Sequence, residues 1–243
     1  MTNYSGFAYV YDVLMADVPY QTWANYIDAA LQQKLSRNRE DITVLDLACG
    51  TGNMTIPLAQ MGYDMIGVDM SADMLAIAQS KLDELHVLFI MQDMRELDLY
   101  GTVDAVVCTC DSLNYLLDKS DLEAVFKRVK MFLNPGGVFI FDMKSEYLFK
   151  NVLAENTFTG TENGVTYEWS NRFNSCIKVN EYRVVFKPDT KDAIMEIHHQ
   201  TAYPVEMVCD LLLKAGFNTA DVRDGYSESK PNNDSMRIVY IAS

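Results

Sequence analysis

Apolar positions in this chain follow two rhythms. Trp23, Tyr26, Ile27, Ala30 and Leu31 recur at the spacing of an amphipathic helix with one core face. Beyond them come short apolar runs, at residues 44–47, 65–68, 87–91, 103–107 and 138–141, the first running into the glycine turn of Gly50 and Gly52 and the second closed by Asp69. Runs this short and this apolar predict strands buried on both faces of a parallel sheet. Between them the helical spacing returns. Ser71 caps a predicted helix with Met74, Leu75, Ala78 and Leu82 inward. Ser120 and Glu123 form a predicted capping box ahead of Leu122, Val125, Phe126, Val129 and Leu133, and Asn134-Pro135-Gly136-Gly137 ends that helix. Strands alternating with helices predict a doubly wound α/β sheet with helices on both faces.

The alternation stops after about residue 150. Residues 158–203 are rich in β-formers, with runs at 165–169, 177–186 and 194–203, the first preceded by the hairpin signal Asn163-Gly164. This predicts a small inserted antiparallel sheet, placed either to roof a crevice or to form a homodimer. Pro204 then opens a helix with Val208, Leu211 and Leu212 inward, Gly216 ends it, and runs at 217–222 and 236–241 predict a final antiparallel pair. The expected organisation is an N-terminal helical lid segment at 1–36, a main α/β domain at 37–150 and 204–243, and an inserted β subdomain at 151–203. The aromatic start of the lid, Tyr4 to Met15, suggests a segment that folds back over something.

Composition narrows the partners. The formal net charge of −14 disfavours nucleic acid, because few cations are present to release its counterions. The basic cluster Lys127, Arg128 and Lys130 sits in the last turns of a predicted helix, where it offsets the helix dipole. No apolar run approaches the ~20 residues that span a bilayer, and the N-terminus does not read as a signal peptide, so a cytoplasmic location and no membrane partner are expected. Cys49, Cys108, Cys110, Cys176 and Cys209 lack the spacing of a zinc site or a disulfide framework, and no metal is expected.

The chemistry concentrates at residues 43–55, T-V-L-D-L-A-C-G-T-G-N-M-T. A strand running into a glycine turn and then a helix presents backbone N–H groups to a ligand. A dinucleotide fingerprint starting at Gly50 requires glycine at position 55, and Thr55 stands there. Asp46 inside the loop repels a pyrophosphate but suits a ligand carrying an ammonium and a sulfonium, namely S-adenosylmethionine (SAM). Asp69, ending the second strand, is placed to accept hydrogen bonds from ribose hydroxyls.

The string D-x-A-x-G-x-G from Asp46 through Ala48, Gly50 and Gly52 resembles motif I of the class I SAM-dependent methyltransferases, with Ala48 where many members have glycine. The L-x-P-G-G turn and K-A-G-F at 214–217 extend that resemblance over most of the chain. It implies a Rossmann-like, seven-stranded, mostly parallel sheet. The small-molecule branch is the nearest in kind, with glycine N-methyltransferase, aminosugar N-methyltransferases and a group from Gram-positive bacteria as its likenesses. The resemblance implies SAM contacts from Asp46, Ala48, Gly50, Gly52, Asp69 and Met70, adenine contacts from Asp93 and Met94, flanking contacts from Thr109 and Cys110, and lid contacts from Tyr4 and Tyr11. On the acceptor side it implies Asp111, Ser112, Asn114 and Tyr115, to which Trp169 is added as an aromatic wall. The arginine that glycine N-methyltransferase uses for the SAM carboxylate has no counterpart at residues 16–21, which leaves that group to backbone N–H groups or water.

The implied reaction is in-line displacement at the SAM methyl by a nitrogen or oxygen of a small molecule, which asks mainly for alignment. An alkylamine must first lose a proton, and Asp111, His198 and His199 are the candidate bases. The two histidines are adjacent on a predicted strand, so only one can face the crevice. A competing reading is a methyltransferase acting on tRNA, DNA or protein. The chain lacks the Pro-Pro or Pro-Cys dipeptide of base-modifying enzymes.

Overall fold

The computed structural model describes residues 8–162, 164–188 and 193–243. The apolar runs become strands β1 (Thr43–Leu47), β2 (Asp64–Asp69), β3 (Val87–Met91), β4 (Val103–Cys108) and β5 (Leu133–Lys144). With β10 (Ala220–Asp224) and β11 (Arg237–Ala242) they form one seven-stranded sheet of order β10-β11-β5-β4-β1-β2-β3. β1 runs parallel to both β2 and β4, whereas β11 is antiparallel to both β5 and β10. The strand order reverses between β1 and β4, and their C-terminal ends therefore open a crevice at a topological switch point.

Helices cover both faces. α5 (Lys119–Phe132) and α6 (Val205–Ala215) bury Leu122, Val125, Phe126, Val208 and Leu211 against one side. α2 (Tyr20–Leu35) and α3 (Thr55–Gln60) bury Ile27, Leu31 and Leu58 against the other. α4 (Ala72–Ser80) starts at Ser71, whose side chain accepts from the Met74 amide as expected.

Two local expectations change. The capping box at Ser120 and Glu123 does not form: α5 starts at Lys119 after Asp118, and Glu123 instead pairs one turn on with Lys127 at 2.6 Å. With Asp118 at the N-cap position, Ser120 falls inside the first turn, where its side chain is out of register for a cap. Asn134-Pro135-Gly136-Gly137 does not separate helix from strand. It lies inside β5, where pairing shifts register between Val103↔Leu133 and Ala105↔Val138, so the Pro-Gly-Gly run is absorbed as an irregularity of the ladder.

The insertion is a separate antiparallel sheet of order β6-β7-β8-β9, made of Thr157–Glu162, Val165–Asn174, Val179–Pro188 and Ile194–Thr201. Residue 163 of the Asn-Gly signal lies outside the described residues, while β6 and β7 pair antiparallel up to Glu162↔Val165. Asn171, Tyr182 and His198 lie opposite one another across β7, β8 and β9, on the face turned toward the crevice. α1 (Ala8–Leu14) packs Ala8 and Val10 into one apolar cluster with Val184 and Phe186 of that sheet and Met74 of α4. The inserted sheet and the N-terminal helix thus meet over the strand ends. Among the described residues no helix is long and apolar enough to cross a membrane.

Candidate active site

The donor side is built by β1, its glycine turn and β2. Asp46 is buried, and its Oδ2 accepts from Thr55 Oγ1 at 2.5 Å while its Oδ1 has no hydrogen-bond partner among the described residues. Burial pushes the Asp46 carboxyl up to about 7 against the pull of the Thr55 bond, with Asp69 adding repulsion. Ala48 and Gly50 take left-handed backbone, φ 61° and 55°. At Gly52, φ 79°, a Cβ would lie 3.2 Å from the Ala78 Cβ, a tight contact at a backbone conformation that itself favours glycine. Asp69 accepts the Gly50 amide at 2.9 Å and the Ser71 amide at 2.8 Å, which ties the turn to the end of β2. Its pKa is raised by burial, opposed by these amides. A buried carboxylate oxygen without a partner beside a glycine turn fits a ligand that brings a positive charge, as the SAM ammonium and sulfonium do.

Elsewhere on this side the outcome is mixed. Asp93 caps a short 3-10 turn through the Arg95 amide at 2.9 Å and is also paired with the Arg95 guanidinium, which holds its carboxyl below the usual range. Met94 is partly buried beside it and Met70 is exposed. Tyr4 lies outside the described residues. Tyr11 reaches the crevice: burial pushes its phenol well up, and Cys110, Tyr20 and Asp111 around it push the same way. Asp12, one position on, accepts from Thr51 Oγ1 at 2.6 Å and Asn53 Nδ2 at 2.8 Å and pairs with Lys81 at 2.5 Å, latching α1 onto the glycine turn.

The acceptor side is built by the ends of β4, β5, β9 and β11. Thr109 is buried, and Cys110 and Asp111 follow with φ 56° and 55°, two successive non-glycine residues in left-handed backbone. Asp111 Oδ1 meets Arg237 at 2.9 Å, and its Oδ2 meets Lys144 at 2.9 Å and Gln200 at 2.7 Å. Burial pushes this carboxyl up, but Lys144 and Arg237 pull harder, and it is held below the usual carboxylate range. Such a carboxylate is a poor general base. Asn114 is consumed structurally, donating to Lys144 and Thr201 carbonyls and accepting the Lys144 amide, and Ser112 donates to the Thr109 carbonyl. Tyr115 shares a hydrogen bond with the Tyr182 hydroxyl. His198 stacks on Tyr182 at 4.7 Å, and burial, with His199 and Lys144, pulls it down to about 4. His199 is not brought to the crevice: it points from the opposite face of β9, exposed, and pairs with Glu181 at 3.1 Å. Trp169 stands with Lys144 Nζ 5.9 Å from its ring centre.

Several residues that build the site were given no role in it by the sequence: Asp12, Asp142, Lys144, Gln200, Tyr226 and Arg237, with Thr55 read only as the residue that excludes a dinucleotide. Asp142 carried a readable signal, an acid closing the apolar run 138–141, the same signal that marked Asp69. Arg237 carried none, since it pairs with Asp111 across 126 positions.

Comparison with known proteins agrees with this geometry. A methyltransferase-domain family model matches residues 44–137. The chain is 36% identical to a protein of Bacillus subtilis that bears the methyltransferase name YqeM, over 98% of this chain and 96% of the relative. A glycine/sarcosine N-methyltransferase of Halorhodospira halochloris is 34% identical over 113 residues, 45% of this chain and 42% of the relative. The crystal structure of a SAM-dependent methyltransferase from Clostridium acetobutylicum superposes with a TM-score of 0.86 at 32% identity, covering 99% of this chain and 98% of the other. With an orphaned Asp46 oxygen at a glycine turn and relatives matching from end to end, the chain belongs to the SAM-dependent methyltransferases.

Proposed function

We propose that the protein transfers the SAM methyl to a nitrogen or oxygen of a small molecule held between the Thr109–Asp111 turn and the inner face of the inserted sheet. The observation that carries this reading is the roof. α1 and the inserted sheet share one apolar cluster over the strand ends, and Tyr115, Tyr182, His198 and Trp169 pack against one another on the crevice side of that sheet. A site covered in this way suits an acceptor small enough to be enclosed, and the net charge of −14 works against a polyanion. The glycine/sarcosine N-methyltransferase relative acts, by its name, on small amines.

SAM supplies an activated methyl. The chain's own contribution is to bind, orient and exclude water. Asp46 offers its second oxygen to the ligand's positive charge, Asp69 its remaining lone pairs to ribose, and Tyr11 its partly buried ring to the crevice. Neither Asp111 nor His198 takes up an alkylammonium proton readily, because both have pKa values far below the ~10 of such an amine. The acceptor therefore binds as its free base.

The test is methyl transfer from labelled SAM into a cell extract separated into small molecules, nucleic acid and protein. Label in the small-molecule fraction is expected; label confined to macromolecules would overturn the reading. Asp69→Ala should weaken SAM binding by about 1–3 kcal/mol in calorimetry, since it leaves hydroxyls unpaired. An unchanged affinity with the fold intact removes the ribose role.

A further inference from the structure

The Cys110–Asp111 turn is backbone that neither residue prefers, and one assembly holds it there. The carboxylate of Asp142, fully buried on β5, accepts both amides of the turn, Cys110 N at 3.0 Å and Asp111 N at 2.8 Å. Both N–H groups of the turn thus converge on one carboxylate, although Cys110 and Asp111 are both in left-handed backbone. Arg237, at the start of β11, bridges this carboxylate and the next: one terminal nitrogen pairs with Asp142, the other with Asp111 at 2.9 Å. Tyr226 donates to Asp142 at 2.5 Å. The assembly then continues into α2. The Tyr226 ring stacks on Trp23 at 4.4 Å, the Arg237 guanidinium lies 4.9 Å from the centre of the same indole, and Tyr20, three positions before Trp23, meets Cys110 Sγ at 3.6 Å.

Such an arrangement is costly to keep for stability alone. Buried ion pairs are often matched or bettered by apolar residues of the same volume, and strained backbone persists where the surroundings over-determine it. The strain lies at the C-terminal end of β4, beside the switch point where the crevice opens. We propose that Arg237, with Asp142 and Tyr226, is a positioning residue for methyl transfer: it fixes the Thr109–Asp111 turn against which donor methyl and acceptor are aligned, and ties that turn to α2. This rests on the reading that the turn borders the transferred methyl. Arginine is required because a planar fork spans two carboxylates while standing over an indole, which an ammonium does not do.

The test compares Arg237→Lys with the unaltered protein in three measurements: thermal unfolding, SAM affinity by calorimetry, and the rate of transfer from labelled SAM, at saturating SAM, into whichever extract fraction the unaltered protein labels. Lysine keeps the charge and loses the span. The expected result is a retained melting transition, SAM affinity within about threefold, and transfer slowed about 100-fold, the scale of a misalignment near 1 Å. Tyr226→Phe, which keeps the ring on Trp23 and removes only the hydroxyl, should show the same pattern at about tenfold, and it carries the test if Arg237→Lys fails to fold. Transfer within twofold of the unaltered protein overturns the proposal, as does a SAM affinity that falls as far as the rate. Because the comparison is a ratio within one fraction, it reads positioning separately from acceptor class. A labelled macromolecular fraction would end the small-molecule reading and still let the ratio decide this one.

Discussion

The two sides of the crevice handle buried carboxylates in opposite ways. On the donor side, Asp46 and Asp69 are held by neutral donors, a threonine hydroxyl and backbone amides, and burial raises both pKa values. On the acceptor side, Asp111 and Asp142 are held by Lys144 and Arg237, and Asp111 is pulled down. The donor side is electrostatically incomplete, as a site that takes its cation from a ligand would be. The acceptor side is complete by itself. On the proposed reading, one fold keeps a site poised for a cationic cofactor beside a site made rigid for alignment.

The contrast is sharpest in what neutralising one carboxylate does. Asp111→Asn leaves Lys144 and Arg237 short of a buried partner and should cost about 3–5 kcal/mol at pH 7 in urea unfolding. Because the folded pKa of Asp111 is depressed, its contribution is present above the unfolded value near ~4 and is lost as pH falls through the folded value. The deficit should therefore close on acidification. A deficit that persists unchanged to low pH would mean that Asp111 acts through packing instead of charge.

Asp46→Asn should do the reverse in the absence of SAM, raising stability at pH 8 by about 1–3 kcal/mol. Here the folded pKa is raised, so the native carboxyl contributes fully below its unfolded value and loses that contribution as pH rises through about 7. The gain should fade toward pH 4. With saturating SAM the order should invert, since only the ionised carboxylate answers the ligand's charge. A ligand-free Asp46→Asn protein less stable than the native one at pH 8 would break the comparison.

The smallest expected effect concerns backbone. Ala48, at φ 61°, pays a left-handed penalty that glycine avoids, and Ala48→Gly should raise stability by about 0.5–1 kcal/mol with SAM affinity unchanged. An unchanged or lowered midpoint would show that the surroundings of Ala48 already accommodate its Cβ without strain.

Much of the donor side was legible because its logic is local. Asp46, Gly50 and Gly52 lie within seven positions, and Asp69 ends the next apolar run, so strand, turn and strand end could be read as one string. Thr55 was read only as the residue that excludes a dinucleotide; its hydroxyl also anchors Asp46. The acceptor side was named in part and its roles shifted. Asn114 became a strut, Asp111 a saturated ion-pair member, and the choice between His198 and His199 waited on which face of β9 turned inward.

The alternation of buried strands and amphipathic helices, the glycine turn with its carboxylate, and the inserted antiparallel sheet are legible in the chain alone, because each depends on residues within a few positions of one another. The bridge that Arg237 makes between Asp111 and Asp142 beside Trp23, and the latch from α1 through Asp12 to the glycine turn, come only with the assembled fold. The most distant of those contacts joins segments more than two hundred positions apart. No periodicity records such pairings; they follow from which strand edges meet when the sheet assembles.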